Sequence, residues 1–341
     1  MTGTRPSMGL MDQGWAAPEV SDGDAIAATL RAVCAAEEAG LDSAWIGQHH
    51  FRRQDAPYWG RISATEVFLA HAGALTSRIR LGTGVRVLST TSAQRAAEEM
   101  NLLSRLLAGR VEFGIGLGSH GNVTGTPEEK AERFRSLLGE LLGFLADDPG
   151  VAELPLSPSS PVELGQRIWA AARDAPTIAL LAELCVNLVV GQAEIATAQA
   201  EFVRRYRAAG GSGRTRGVRV VFVAPSREEA LAESAAAADL YFSAMSKGGY
   251  YRQAVERGLI TDPPRSRTDM LSAINFIAGS PADVTAQLND YLATTRVDQL
   301  DVMAHLPRIA LPHVRRSMEL LQSEVRPNLV YDPLPAGAMA A

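Results

Sequence analysis

The chain has almost no lysine. Lys130 and Lys247 are the only two among its 33 basic residues; the rest are arginine. No block of like charge interrupts the sequence, and the formal net charge is −5. The chain therefore lacks the basic stripe that a nucleic-acid role needs, which argues against that role. The arginine bias reads as codon usage and not as a phosphate-binding design. Cysteine is equally scarce. Cys34 and Cys185 supply neither a disulfide framework nor a metal cluster, and both are expected as small core residues. No apolar run is long enough to span a membrane, and the start, MTGTRPSMGLMDQ, lacks a signal-peptide core. A cytoplasmic protein without a membrane partner follows.

What the sequence does have is alternation. Short strand-like runs are expected at Ser7–Met11, Ser43–Gly47, Ile79–Leu88, Val111–Leu117, Arg167–Ala172, Val186–Val190, Val218–Ala224 and Gln299–Met303. Each is followed by a helical pattern, for example Asp24–Ala39, capped by Ser21 or Asp22 and stopped by Gly40. Thr126-Pro-Glu-Glu129 reads as a capping box. Strand–helix alternation implies a parallel sheet, and eight units imply closure into a (β/α)₈ barrel. The Pro/Ser-rich connector 155–161 is read as a long loop, so that residues 1–331 make a single barrel domain and 332–341 a disordered tail. Met245–Ser272, polar and punctuated by glycine and proline, is expected as a mobile lid between the seventh and eighth strands.

Gly40–Phe51, GLDSAWIGQHHF, places two adjacent histidines where a strand runs out. Carboxyl ends of barrel strands line the mouth where chemistry is done. Neighbouring side chains on an extended segment diverge, so one of the pair should face a ligand and the other should pack. The same divergence, and the lack of a third ligand nearby, argue against a metal site.

Four blocks then carry a resemblance: Glu37–Phe51, Arg78–Ser119, Arg167–Leu184, and the pair Ile277–Leu288 with Arg316–Leu329. Together they make the chain similar to the bacterial luciferase-like flavin monooxygenases, a TIM-barrel family. The resemblance implies reduced FMN delivered by a separate flavin reductase, O2 as co-substrate, and insertion of one oxygen into a small organic molecule. It implies a homodimer built through helices 63–76 and 93–107.

Residue by residue, the resemblance makes His49 the functional histidine. Gln48 stands where bioluminescent relatives tend to carry glutamate. Gly82, Thr83, Gly84 and Val85 fall where backbone lies under the isoalloxazine ring, with a non-prolyl cis peptide expected at Gly84–Val85. Gly114, Gly116 and Gly118 end the fourth strand, and Gly118, Ser119 and His120 are expected at the cofactor. Arg173, Asp174 and Thr177 open a helix whose N–H groups could receive phosphate. The chain departs from relatives at Leu117, often arginine, and at Asp174, usually serine. Those departures leave room for deazaflavin F420. Trp15, Phe51, Tyr58, Trp59 and Tyr250 are candidate walls of an apolar substrate pocket. Rival readings are an F420-dependent oxidoreductase on the same barrel, a non-catalytic flavin-binding protein, and, less favoured for want of ligand clusters, a metal-dependent barrel hydrolase.

Overall fold

Strands form where the apolar runs place them. The computed structural model describes residues 5–51, 56, 58–118, 125–151, 153–247, 249–256, 260–272 and 276–335. The barrel strands are β1 (Ser7–Asp12), β2 (Ser43–Ile46), β3 (Arg80–Val87), β4 (Val111–Gly116), β5 (Ile168–Ala171), β6 (Asn187–Val190), β7 (Thr215–Val223) and β8 (Gln299–Met303). All pair in parallel, and the ring closes where β6 meets β7, Leu188 opposite Thr215. Connector 155–161 is crossed by this ring, since β1–β4 precede it and β5–β8 follow.

The helices start and stop as local chemistry dictates. Helix α1 (Asp22–Ala39) begins after Ser21, whose Oγ accepts the Asp24 N–H at 3.1 Å, and ends on Gly40 with φ of 89°. Next come α2 (Thr65–Leu75), α3 (Ala93–Leu106) and α4 (Pro127–Leu145), the last opened by the reciprocal Thr126–Glu129 capping box. Then follow α5 (Ala175–Glu183), α6 (Ala196–Ala208) and α7 (Arg227–Lys247). Two short helices, α8 (Tyr250–Glu256) and α9 (Arg267–Ser272), lie within the expected lid, whose first residues instead finish α7. Helices α10 (Pro281–Thr295) and α11 (Leu311–Leu320) complete the outer layer. No helix among the described residues is long and apolar enough to cross a membrane.

Several expectations need correction. A ninth strand, Phe276–Gly279, pairs with Val220–Val223 of β7. Val220 also faces Met303 of β8, so this strand takes the β6-side edge of β7, above the point where β6 stops. Cys185 is exposed, with φ of 53°. The tail is tied down at its start: Leu334 donates to the Arg296 carbonyl at 3.0 Å, and Arg296 holds Asp332 at 2.9 Å. Residues 336–341 lie outside the described range.

Polar groups occupy the barrel interior and find each other there. Arg216 on β7 meets Asp301 on β8 at 3.0 Å, both fully buried. The Arg216 guanidinium lies 3.4 Å from the Trp45 ring, and Trp45 meets Trp169 edge-on at 5.7 Å. Trp169 donates its indole N–H to Glu112, which also pairs with Arg80 at 2.8 Å and Arg214 at 3.3 Å. Burial raises the Asp301 carboxyl and lowers the Arg216 guanidinium, and each partner opposes the other's shift. Removing one charge strands the other. Asp301→Ala is therefore expected to lose about 3–5 kcal/mol in urea denaturation; a loss under about 1 kcal/mol, the range of an exposed pair, contradicts this account.

Candidate active site

The loops after β1 and β2 build a shelf at the carboxyl rim of the barrel. Gly14, with φ of 60°, turns the chain after β1. Trp15–Ala16 then pairs antiparallel with Trp59–Gly60, Trp15 opposite Gly60. His49 rests on that shelf. Its backbone N–H donates to the Ile62 carbonyl at 2.8 Å, and its ring fills the space left by the missing side chain of Gly60. His49 Nε2 stands 2.8 Å from Gln13 Oε1. Gln13 in turn lies over Gly47, where any side chain would collide with it.

This placement sets the state of the ring. Facing a carbonyl oxygen, Nε2 of the neutral imidazole carries the proton, and Nδ1 is left as an acceptor. Burial disfavours the cation and His50 adds like charge, taking the His49 pKa from 6.5 to about 4. Both effects favour the uncharged ring at neutral pH.

Two of the five expected pocket aromatics gather beside it. Trp15 lies 6.4 Å from the His49 ring and 4.7 Å from Tyr58. Tyr241 of α7 joins them, 6.5 Å from Trp15 and 6.0 Å from Phe276 of the ninth strand. Phe51 is no wall: it is 79% exposed, held outward by a left-handed backbone with φ of 61°. Trp59 points into a different contact, 4.0 Å from the guanidinium carbon of Arg61, which Asp22 anchors at 2.8 Å. Tyr250 opens α8, and its side chain lies outside the described range, as do Ser119 and His120.

Gln48 links the β2 and β3 loops, donating to the Ser63 carbonyl at 2.8 Å and accepting the Val87 N–H at 2.6 Å. A second pair stands at the rim and was absent from the sequence reading. Asp12, buried at the end of β1, accepts the Gly14 N–H at 2.7 Å and faces His305 Nδ1 at 2.7 Å. Burial lowers the His305 pKa, but the Asp12 carboxylate outweighs it and the net shift is upward. His305 follows β8 as His49 follows β2, so the same strand-end rule would have found it.

The glycines divide their roles. The Gly84–Val85 peptide is cis. Pairing between β3 and β4 shifts register between Thr83 and Arg86. Gly82 makes room for the Trp45 ring, and Thr83 Oγ1 donates to the Gly114 carbonyl at 2.7 Å. A Cβ at Gly84 would sit 2.9 Å from Met11 Sδ. Gly114 accommodates the Thr83 carbonyl, while Cβ atoms at Gly116 and Gly118 would sit 2.7 Å from Val85 and 2.6 Å from Val87. Much of this glycine pattern is therefore required by packing of β4 against the irregular part of β3.

At the α5 N-terminus, Asp174 caps the helix. Its Oδ1 accepts the Thr177 N–H at 2.9 Å and the Thr177 hydroxyl at 2.7 Å. Arg135 of α4, not foreseen from sequence, reaches the same oxygen at 3.3 Å. Arg173 pairs with buried Glu194. The expected phosphate cradle thus does not fit a phosphate: Thr177 and Arg135 already hold the Asp174 carboxylate, and Arg173 holds that of Glu194.

A closed parallel barrel with a neutral imidazole among rim aromatics defines a class of barrel enzyme that does its chemistry at strand carboxyl ends. The model of the luciferase-like monooxygenases matches residues 7–299, and the chain belongs to that family. It is 31% identical over 147 residues to the N-acetyl-S-alkylcysteine monooxygenase of Bacillus subtilis (strain 168), covering 41% of this chain and 42% of that one. The chain therefore matches less than half the length of that curated relative. Among solved structures, the oxygenating constituent of 3,6-diketocamphane monooxygenase of Pseudomonas putida, in complex with FMN, superposes with a TM-score of 0.75 at 18% identity, covering 96% of this chain and all of that one. An F420-dependent secondary alcohol dehydrogenase gives 0.70 at 12% identity, covering 96% of this chain and 100% of that one. At such identities the likeness is one of fold.

The two rim histidines should titrate apart. In nitrogen-15 NMR, His49 is expected to titrate near pH 4 and His305 above its ordinary 6.5. The linkage signs are opposite. A lowered folded pKa makes His49 cost stability as pH falls from 6.5 toward 4, whereas the His305 contribution is complete below 6.5 and fades as pH rises through its folded pKa. Coincident midpoints near 6.5 would refute both environments.

Proposed function

We propose that this chain is a two-component, flavin-dependent monooxygenase: reduced FMN arrives from a separate flavin reductase, and with O2 the enzyme oxygenates a small organic substrate in the cytoplasm. The observation that carries this reading is the neutral His49 imidazole, held by Gln13 beside the rim aromatics of a barrel of this family. When bound, reduced flavin supplies the activation of dioxygen. Everything else falls to the protein. Gln13 fixes the tautomer, so His49 Nδ1 can accept a proton from a reacting group within hydrogen-bond reach and return it. Trp15, Tyr58 and Tyr241 present apolar faces that exclude water from that proton path. The ends of β3 and β4, from Gly84–Val85 to Gly118, would seat the ring.

The test couples the full chain to a flavin reductase, NADH and FMN, and follows oxygen uptake together with oxygenated product across thioethers, aldehydes and ketones. His49→Ala is expected to lower kcat/KM by about 10²–10⁴-fold, the range of a lost acid–base group, with reduced-flavin affinity retained. Unchanged product formation would remove His49 from the chemistry. The F420 reading rests on the fold shared with F420-dependent barrels; tight binding of reduced F420 with no binding of reduced FMN would install it instead.

A homodimer belongs to the same proposal. Helices α2 and α3 lie side by side and expose Val67 (72%), Leu75 (54%), Leu102 (52%) and Leu106 (63%). Exposed large apolar residues on two adjacent helices suit a contact between two copies of the chain. In sedimentation at micromolar concentration the wild type should run as a dimer, and the double variant Leu102→Glu with Leu106→Glu as a folded monomer. A monomeric wild type overturns it.

A further inference from the structure

The N-terminus of α5 is a natural place for a phosphate, because a helix start combines unpaired N–H groups with a partial positive charge. In this chain a carboxylate already sits there. Asp174 Oδ1 takes both the Thr177 N–H and the Thr177 hydroxyl, at 2.9 and 2.7 Å. Arg135 comes from α4 to the same oxygen at 3.3 Å and to Thr177 Oγ1 at 3.2 Å. Thr177 is only 2% exposed, and both of its donors are spent on that one carboxylate oxygen.

The neighbouring positions supply no substitute. Arg173 is paired with Glu194, which is itself buried. Leu117, past the end of β4, packs its apolar side chain against the core. Two cations and two carboxylates therefore balance: Arg135 with Asp174, Arg173 with Glu194. A phosphate dianion brought to this helix would have to displace the cap and would meet the charge of Asp174 at contact distance.

We propose that Asp174 determines cofactor specificity by closing the α5 N-terminus to the cofactor's phosphate, so that this barrel holds its cofactor through the ring system and does not distinguish a phosphate ester from the corresponding alcohol. The inference rests on the flavin reading of the site and concerns a different part of the cofactor.

The experiment is an anaerobic titration of the full chain with four reduced ligands: FMN, riboflavin, F420 and the dephosphorylated form of F420. It is repeated with Asp174→Ser, which keeps a capping oxygen and removes the charge. In the wild type, FMN and riboflavin are expected to bind with Kd values within about threefold of each other, a difference well under the 1.4 kcal/mol of a tenfold change. In Asp174→Ser, FMN should tighten by about tenfold or more while riboflavin stays put. Wild-type preference for FMN of about tenfold, or no gain for FMN in the variant, overturns the inference and leaves the flavin reading intact. Binding of the two deazaflavins alike with no flavin binding supports the closed cradle and ends the FMN reading. A chain that takes none of the four ends both.

Discussion

The fold depends on a charge that cannot leave. Arg216 and Asp301 are sealed inside the barrel, where an unpaired ion would be far costlier than a paired one. The pair joins two strands, and Trp45 and Trp169 pack around it. Their bulk decides which strand positions can bear a side chain. Gly9 has no room because Ser43 and Asp301 already fill it, and Gly82 has none because Trp45 does. With the lower barrel filled in this way, the carboxyl rim is left to the loops.

At the rim, two imidazoles with opposite electrostatic surroundings stand at the ends of different strands. His49 faces an amide and is buried beside His50, which disfavours its charge, whereas His305 faces a carboxylate that favours its charge against burial. One fold thus lowers the proton affinity of one rim imidazole and raises that of the other. Close packing holds the neutral one: Gly60 beneath His49 and Gly47 beneath Gln13 each admit a side chain that no Cβ would allow.

The ring of eight strands was legible because buried parallel strands are short, apolar and regularly spaced between amphipathic helices. The strand Phe276–Gly279 was not, being four residues long beside a helix cap that dominates the local pattern. His49 stood out through its place after a strand. Gln13, Tyr241 and Arg135 did not, because their roles arise from contacts across the chain, to residue 49, to residue 15 and to residue 174. Phe51 lies exposed and Trp59 sits against Arg61, placements that the sequence does not signal, for a related reason. An aromatic on a mouth-side loop can turn outward or find a cation, and only backbone angle and neighbours decide which. The glycines of β4 were legible as a pattern, yet their main demand is room for β3.

The ninth strand also bears on how this scaffold can be altered. It sits on β7 above Val218, whereas β6 holds β7 only through Gly217. Wall integrity is therefore secured low down, and the upper edge of β7 is served by a separate piece of chain arriving from the 245–272 excursion. Splicing a longer or shorter excursion between α7 and Phe276 would reshape that side of the opening without touching a single hydrogen bond of the β6–β7 closure, which makes this junction the natural grafting point for redesign.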